Sequence, residues 1–216
     1  MWVPQGLSHT VLNMGQVLGV SMQSTVLPYD LLLRAAYNDQ ADAVRWLLTD
    51  GGMLVNAKSP FEMTEPFKLN RGEGGTALHL AAMGDAPAAV AALSELGADM
   101  EARNAERLTP LMVAAREGNT RALQALLDAG AEAEALDARR HAPLQHAALG
   151  AVSVPCIRAI LAAGASTELT KSTWRMSVRA LQAAAQENRN ELQMVERELR
   201  MELRRRGLDL GGVGIR

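Results

Sequence analysis

The chain has 216 residues, of which 48% are hydrophobic but only 3% aromatic, so it can bury a sizeable core but must build it from small and aliphatic side chains. A formal net charge of -2 excludes a bulk electrostatic attraction to nucleic acid or to a membrane surface, and neither is an expected partner. The single cysteine, Cys156, excludes an internal disulfide and favours a reducing, cytoplasmic compartment. With 19 arginines against 3 lysines, the composition indicates a GC-rich and therefore bacterial coding sequence.

The N-terminal segment, residues 1–29, contains no Asp, Glu, Lys or Arg. A secretory signal needs a positive charge before its apolar run, and none is present. A membrane span is also disfavoured, because Asn13, Gln16 and Gln23 interrupt the apolar sequence. We therefore expect this segment to be an apolar leader that packs on the first structural unit.

The middle of the chain repeats itself. The segment TALHLAA begins at Thr76, TPLMVAA at Thr109 and APLQHAA at Ala142, so the same spacing of about 33 residues occurs twice. Gly97 and Gly130 follow in the same phase, and the upstream segment DLLLRAAYNDQADAVRWLLTDGG fits the same template. This period, with its TPLH-type start and closing glycine, resembles the ankyrin repeat.

The resemblance implies an all-α solenoid of stacked helix-turn-helix units with finger-like loops between them. A tetratricopeptide array has a similar period but a different residue pattern, and is disfavoured. The expected segments are four units at 30–56, 76–104, 109–137 and 142–170, an inserted loop at 57–75, a helical C-terminal cap at 171–206 and a mobile tail at 207–216.

The third unit shows how the residues specify this shape. Thr109 is a helix N-cap, and Pro110 stands at the first helical position, where its missing N–H costs nothing. Gly118-Asn119 makes a turn, and a second helix over about 121–129 ends at Gly130 in the left-handed conformation. That second helix is expected to bury Leu123, Leu126 and Leu127.

The other units depart from this pattern. Gly51 is the expected closing glycine of the first unit, and Ala142 lacks the capping hydroxyl, at a cost of about 1 kcal/mol. His79 is the only histidine at the fourth position of the TPLH-type motif. The resemblance implies that this histidine ties down the finger loop, and that Met112 and Gln145, which replace it, leave looser fingers.

The C-terminal segment contains Leu192, Val195, Leu199 and Leu203 at helical spacing. Its polar opposite face predicts a cap for a monomeric array. A coiled-coil dimer is the alternative, but two heptads are too few to favour it.

No catalytic or metal site is predicted, and no cofactor. The segment RGEGGT at Arg71 lacks the Gly-Lys-Ser/Thr ending of a phosphate loop. His141, His146 and Cys156 could suggest a nucleophile or metal ligands, but no second cysteine offers metal spacing. His146 and Cys156 align with apolar positions of the other units, so we interpret both as packing residues.

The resemblance implies a non-enzymatic module that binds another protein on its concave face of fingers and inner helices. The finger tips become more basic toward the C-terminus, which favours a partner with an acidic surface. Both phenylalanines of the chain lie in the inserted loop. Two alternatives stay open for them: at least one ring anchors the partner, or both fold back as a lid over the leader or the first unit. An inhibitor or immunity protein for a bacterial toxin or enzyme is the specific hypothesis; a delivered effector and a dimerising regulatory scaffold are the alternatives. The predicted partner-binding residues are Phe61, Phe67, Arg71, Glu73, Glu106, Arg107, Met112, Arg116, Arg139, Arg140, His141, Gln145, Trp174 and Arg175.

Overall fold

The computed structural model describes residues 28–59, 74–150 and 153–165, together with 197 and 201. These residues form helices and turns and contain no strand. The helices are α1 (Pro28–Tyr37), α2 (Ala41–Thr49), α3 (Ala77–Met83), α4 (Pro87–Glu95), α5 (Pro110–Glu117), α6 (Thr120–Asp128), α7 (Pro143–Leu149) and α8 (Val154–Ala162).

Each consecutive pair of helices forms one unit, and the units stack in chain order. The inner helices α1, α3, α5 and α7 pack side by side, and the outer helices α2, α4, α6 and α8 do the same. Every unit therefore buries its apolar face against its neighbours, which is the arrangement expected of a solenoid. The predicted all-α repeat fold is confirmed.

The core is built from leucine and alanine at repeated positions. Leu111 is fully buried, and Leu78 and Leu144 are buried at the equivalent places one repeat before and one repeat after it. Alanines of the inner helices are also fully buried, and their small side chains let neighbouring helices approach closely. This packing leaves little room for aromatic rings, in agreement with the low aromatic content of the chain.

The inner helices α3, α5 and α7 differ in how the backbone N–H groups at their starts are hydrogen-bonded. Thr109 accepts a hydrogen bond from the Met112 backbone N–H, as predicted for an N-cap. At α3 the Thr76 backbone N–H donates to Nδ1 of His79. At α7 the backbone N–H of Ala142 donates instead to the side-chain oxygen of Gln145, so this glutamine does one of the tasks of the histidine.

His79 also connects two units. Its Nε2 lies 3.0 Å from the carbonyl oxygen of Leu108 in the loop that precedes α5. Because Nδ1 accepts from Thr76, the ring is neutral and carries its proton on Nε2, which donates to Leu108. Burial lowers the pKa of His79 from 6.5 to about 4 and so keeps the ring neutral at neutral pH.

Left-handed glycines follow most of the outer helices, as the sequence predicts. The φ angles are 80° at Gly97, 90° at Gly130 and 87° at Gly164. The prediction for the first unit is wrong, because the left-handed residue there is Gly52, with φ 63°, and not Gly51. A Cβ on Gly51 would lie 2.5 Å from the Leu47 carbonyl oxygen, so this glycine is needed for a close approach.

The outer helix α6 runs one residue earlier than predicted, over Thr120–Asp128. Leu123 and Leu126 are buried as expected, whereas Leu127 is only half-buried at the edge of the core. Cys156 is fully buried on α8, as predicted for a packing residue.

Aspartates in the turns bind the outer helix of the next unit. Asp39 and Asp85 have positive φ, and each carboxylate accepts a backbone N–H from the first turn of the following outer helix, at 2.9 Å from Ala89 and Ala122 respectively. A carboxylate at a helix N-terminus also interacts favourably with the helix dipole. These bonds fix the rotation between successive units.

A glutamate side chain also links two of the units. The Glu101 carboxylate accepts the Glu132 backbone N–H at 2.8 Å and so links two successive units. Burial raises the pKa of Glu101. The leader up to residue 27 and most of the C-terminal segment lie outside the described residues. In the part of the chain that the structure describes, no helix is long and apolar enough to cross a membrane.

Candidate protein-interaction site

The loops between units end in tight turns that we call fingers: finger 2 comprises residues 96–109 and finger 3 residues 129–142. In finger 2 the Arg107 N–H donates to the Asn104 carbonyl, and the Asn104 side chain accepts the Leu108 N–H. Finger 3 repeats this geometry with Asp137 in place of Asn104, so the same backbone shape is closed by a carboxylate.

Arginine occupies the tip of each finger in a left-handed conformation. The φ angle is 62° at Arg107 and 63° at Arg140, and both side chains are exposed. Gly74 takes the corresponding place before α3, with φ 65°. A non-glycine residue in this region costs about 1 kcal/mol, so each arginine stands where glycine would be the more stable choice.

Arg103 holds fingers 2 and 3 together. Its Nη1 donates to the carbonyl of Arg107 in its own finger, at 3.0 Å, and to the carbonyl of Leu136 in finger 3, at 2.8 Å. Leu136 follows Arg103 by one full repeat, so the contact joins equivalent positions of successive units. The two tips are thereby fixed relative to each other.

A pocket of about 860 Å³ opens between these fingers and the ends of α5 and α7. We call it the finger pocket. Its lining is strongly charged and includes residues of both fingers and both inner helices. The lining residues are Glu106, Leu108, Arg116, Glu117, Asp137, Ala138, Arg139, His141, His146, Leu149 and Gly150.

Arg116 is held rigidly on one side of the finger pocket. Its Nη1 lies 2.7 Å from the Glu106 carboxylate, and its Nε lies 3.3 Å from the Glu117 carboxylate. The Gly150 position permits a close approach, since a Cβ there would lie 2.1 Å from the Arg116 carbonyl oxygen. The carboxylates of Glu106 and Glu117 thus flank the guanidinium group of Arg116 and fix its orientation.

On the other side, two imidazoles face one carboxylate. Oδ1 of Asp137 accepts the backbone N–H groups of Arg139 and His141, each at 2.8 Å. Oδ2 lies 3.1 Å from Nε2 of His146 and 3.8 Å from Nδ1 of His141. The three side chains are largely buried, with 6% of Asp137, 16% of His141 and 12% of His146 exposed.

This burial shapes the protonation of the cluster. Burial alone would raise the pKa of Asp137, but the two backbone N–H groups and the nearby imidazoles outweigh it, and the pKa is lowered. Burial lowers the pKa of His146 by more than the Asp137 charge raises it. At neutral pH the pair therefore consists of an ionised Asp137 and a neutral His146.

The family comparison agrees with this architecture. A family model described as ankyrin repeats in three copies matches residues 32–137 and 78–171, which together span more than half of the chain. The chain belongs to the ankyrin repeat family. No curated protein matches the sequence. Ankyrin repeats are general protein-interaction modules, so a protein partner is the expected ligand of this array.

The structure brings six predicted partner-binding residues to one side of the ankyrin array. Glu106, Arg116, Arg139 and His141 line the finger pocket, and the exposed side chains of Arg107 and Arg140 stand at the finger tips. The remaining residues of the prediction divide into two groups.

Met112 and Gln145 are corrections to the predicted contact surface. Met112 is fully buried in the core, and Gln145 is buried while it caps α7, so neither side chain offers surface to a partner. The other predicted contacts lie outside the described residues and stay predictions: Phe61, Phe67, Arg71, Glu73, Trp174 and Arg175.

The sequence prediction omits several residues of the site, among them Arg103, Asp137 and His146. The interpretation of His146 as a packing residue is wrong, since its ring faces the finger pocket and Asp137. A signal is available, because His146 stands where the ankyrin units before it have Leu80 and Val113. A polar residue at an apolar repeat position indicates a site residue.

Proposed function

We propose that this ankyrin array is a non-enzymatic binding module that docks a partner protein on its finger side, across the arginine tips and the finger pocket. The observation that carries the proposal is the left-handed arginine at two successive tips, Arg107 and Arg140. Each stands where glycine would be more stable, and strain of this kind is typical of functional positions.

The surroundings support the same surface. Arg103 holds the two tips in register, and Arg139 is exposed beside the finger pocket. Repeated arginines at fixed spacing would steer an acidic partner and orient it across two units. Arg116 lies deeper, between two carboxylates, and would recognise a polar side chain that enters the pocket.

We propose that the partner is an enzyme or toxin that the chain inhibits. A protein docked across several fingers would have its own facing surface covered, which is the physical requirement for inhibition. Delivery as a bacterial effector and dimerisation through the C-terminal helix are the alternatives. Light scattering of the purified chain separates a monomer from a dimer, and an activity assay of the captured partner, with and without the chain, tests inhibition.

The experiment that tests the docking surface is affinity capture with matched baits. The wild-type chain would capture its partner from an extract of the native source, with identification by mass spectrometry. A bait with Arg107→Gly and Arg140→Gly keeps the tip backbone and is expected to lose the partner. The control is Arg121→Ala on the outer helix α6, where the arginine is exposed and pairs with Asp85.

Capture that survives the double substitution but is lost with Arg121→Ala would place the interface on the outer helices and overturn the proposal. Unchanged capture by both baits would also contradict it, because neither basic surface would then be needed.

A further inference from the structure

We infer that Asp137, His141 and His146 form a binding site for a divalent transition-metal ion of the zinc class. Each residue contributes one possible ligand atom, and the three atoms lie within 4.8 Å of one another. All three side chains line the finger pocket. The inference does not depend on the identity of any protein partner.

The spacing of the three ligand atoms suits a shared ion, and the shorter of the two carboxylate–imidazole distances is also that of a hydrogen bond. In a tetrahedral zinc site with bonds of about 2.0–2.1 Å, neighbouring ligand atoms are about 3.3 Å apart. Here Oδ2 of Asp137 lies 3.1 Å from Nε2 of His146 and 3.8 Å from Nδ1 of His141. The second distance is too long for a hydrogen bond, and a small inward shift of His141 would bring all three atoms to one ion.

The carboxylate is oriented by the backbone in the manner of a supported ligand. Oδ1 of Asp137 accepts two backbone N–H groups at 2.8 Å each, which fixes the rotamer and leaves Oδ2 for the ion. The neutral form of His146 offers the Nε2 lone pair once its proton resides on Nδ1. Ligation then needs no net loss of a proton from the imidazole.

The ligand types select the class of metal. Two imidazole nitrogens and one carboxylate oxygen suit zinc and its neighbours, whereas calcium and magnesium prefer all-oxygen sites. Three protein ligands leave a fourth position for water on the side of the finger pocket.

His79 does not compete for the metal, because it is buried and both its ring nitrogens are hydrogen-bonded. Among the histidines of the described region, only His141 and His146 therefore remain as ligands. His9 lies outside that region, and a site formed by it would not respond to changes in finger 3.

The test is titration of the tag-free chain with Zn²⁺ by calorimetry, followed by Co²⁺ absorption as a readout of four-coordinate geometry. The wild-type chain is expected to bind one ion. Asp137→Asn, His141→Asn and His146→Val should each weaken binding at least tenfold and remove the Co²⁺ signal.

These variants are chosen to preserve the fold. Asn104 closes finger 2 with an amide, as the new side chain of Asp137→Asn would close finger 3, and Val113 occupies the place of His146 in the preceding unit. Asp128→Asn, on the exposed end of α6, is the matched control and should bind like the wild-type chain. Circular dichroism checks that each variant is folded.

Two results would overturn the inference. One is a wild-type chain that gives neither binding heat nor a Co²⁺ signal. The other is an affinity that the substitutions of Asp137, His141 and His146 all leave unchanged, which would assign the metal to His9 or to nonspecific carboxylates. Should His146→Val fail to fold, the variants of Asp137 and His141 decide between these outcomes.

Discussion

At the residue scale, single side chains decide how the units are tied together. His79 accepts from Thr76 and lies against the carbonyl of Leu108, so one neutral ring connects a helix start to the next finger. Arg107 and Arg140 differ from His79, because both have a strained, left-handed backbone conformation. Within the described ranges, no hydrogen bond of either side chain accounts for this strain. Residues that stabilise the fold and residues that bind a partner are therefore distinguished by different measurements.

The pKa of His79 predicts a loss of stability in mild acid. The value falls from 6.5 in the unfolded chain to about 4 in the folded chain, so the unfolded state binds more protons between these values. The contribution of His79 to the free energy of unfolding is fully present above about pH 6.5 and is lost as the pH falls toward 4. The loss should be on the order of 2–3 kcal/mol by about pH 4.5.

The measurement is denaturant unfolding at several pH values for the wild-type chain and for His79→Gln. Gln145 makes the equivalent bond in the fourth unit, so glutamine is a conservative replacement. The variant should lose the pH-dependent part that comes from the histidine. Parallel pH profiles for the two proteins would show that His79 is not the group responsible.

The tip arginines predict opposite effects on stability and binding. Arg107→Gly and Arg140→Gly relieve left-handed strain, so the free energy of unfolding should stay unchanged or rise by up to about 1 kcal/mol. Partner binding should weaken. Gly74→Ala is the reverse control and should destabilise, because φ is 65° and the new Cβ would lie 3.2 Å from the Ala105 backbone nitrogen. A clear loss of stability in the glycine variants would give the arginines a structural role instead.

At the element scale, the sequence predicts the helices well because their ends are chemically marked. Thr109 and Pro110 mark the start of α5, and Gly130 marks the end of α6, where the predicted bounds are wrong by a single residue. The closing glycine of the first unit could not be assigned, since Gly51 and Gly52 are adjacent and only the packing on Leu47 distinguishes them.

The structure also locates the sequence that is inserted between the first two units. The Ser59 N–H donates to the Gly75 carbonyl as the Asn104 N–H donates to that of Leu108, so these two pairs are equivalent. The first pair encloses a much longer segment than the second, which places nearly all of the insertion within the finger. The one remaining residue of the insertion is accounted for by the two adjacent glycines after α2, where the later units have a single glycine after the outer helix. Spacing alone predicts the length of the insertion but not this division, because no motif marks the base of a finger.

Helices α5 and α7 differ in their N-cap residues, and a matched pair of substitutions can measure the effect of this difference on stability. Ala142 has no side chain to accept an N–H at the start of α7, although Gln145 binds its backbone N–H. Ala142→Thr should therefore raise the free energy of unfolding by about 0.5–1 kcal/mol, and Thr109→Ala should lower it by about 1 kcal/mol. Denaturant melts of both variants provide the check. A gain of zero at Ala142 would mean that Gln145 already compensates for the missing cap.

At the scale of the whole molecule, the core and the binding side are formed by different positions of the sequence repeat. Repeated leucines and alanines determine the stack and could be predicted from periodicity alone. The site could be predicted only in part, because Arg103 acts through a contact between successive fingers, and Asp137 and His146 act through a contact between finger 3 and helix α7. The prediction for Met112 and Gln145 fails for a related reason, since a variable position in a repeat can face the core as well as a partner.

The inserted finger carries a prediction about the extent of the binding surface. Phe61→Ala with Phe67→Ala should weaken partner binding at least tenfold, about 1.4 kcal/mol, and leave the melting temperature nearly unchanged. The physical reason is that the alanine-lined core has no room for large rings, which makes these two side chains candidates for contact with a partner. A large drop in melting temperature with binding retained would instead make this loop a structural lid.

The most direct test of the central claim is the salt dependence of the association rate with the captured partner. Arg139→Glu with Arg140→Glu reverses charge at finger 3, and a single Arg158→Glu on the outer helix α8 is the control for an arginine away from the fingers. We expect the finger variant to associate at least tenfold more slowly at low salt and to show a weaker salt dependence, with the control close to wild type. Equal rates and equal salt dependence for all three proteins would contradict a partner steered by the basic fingers.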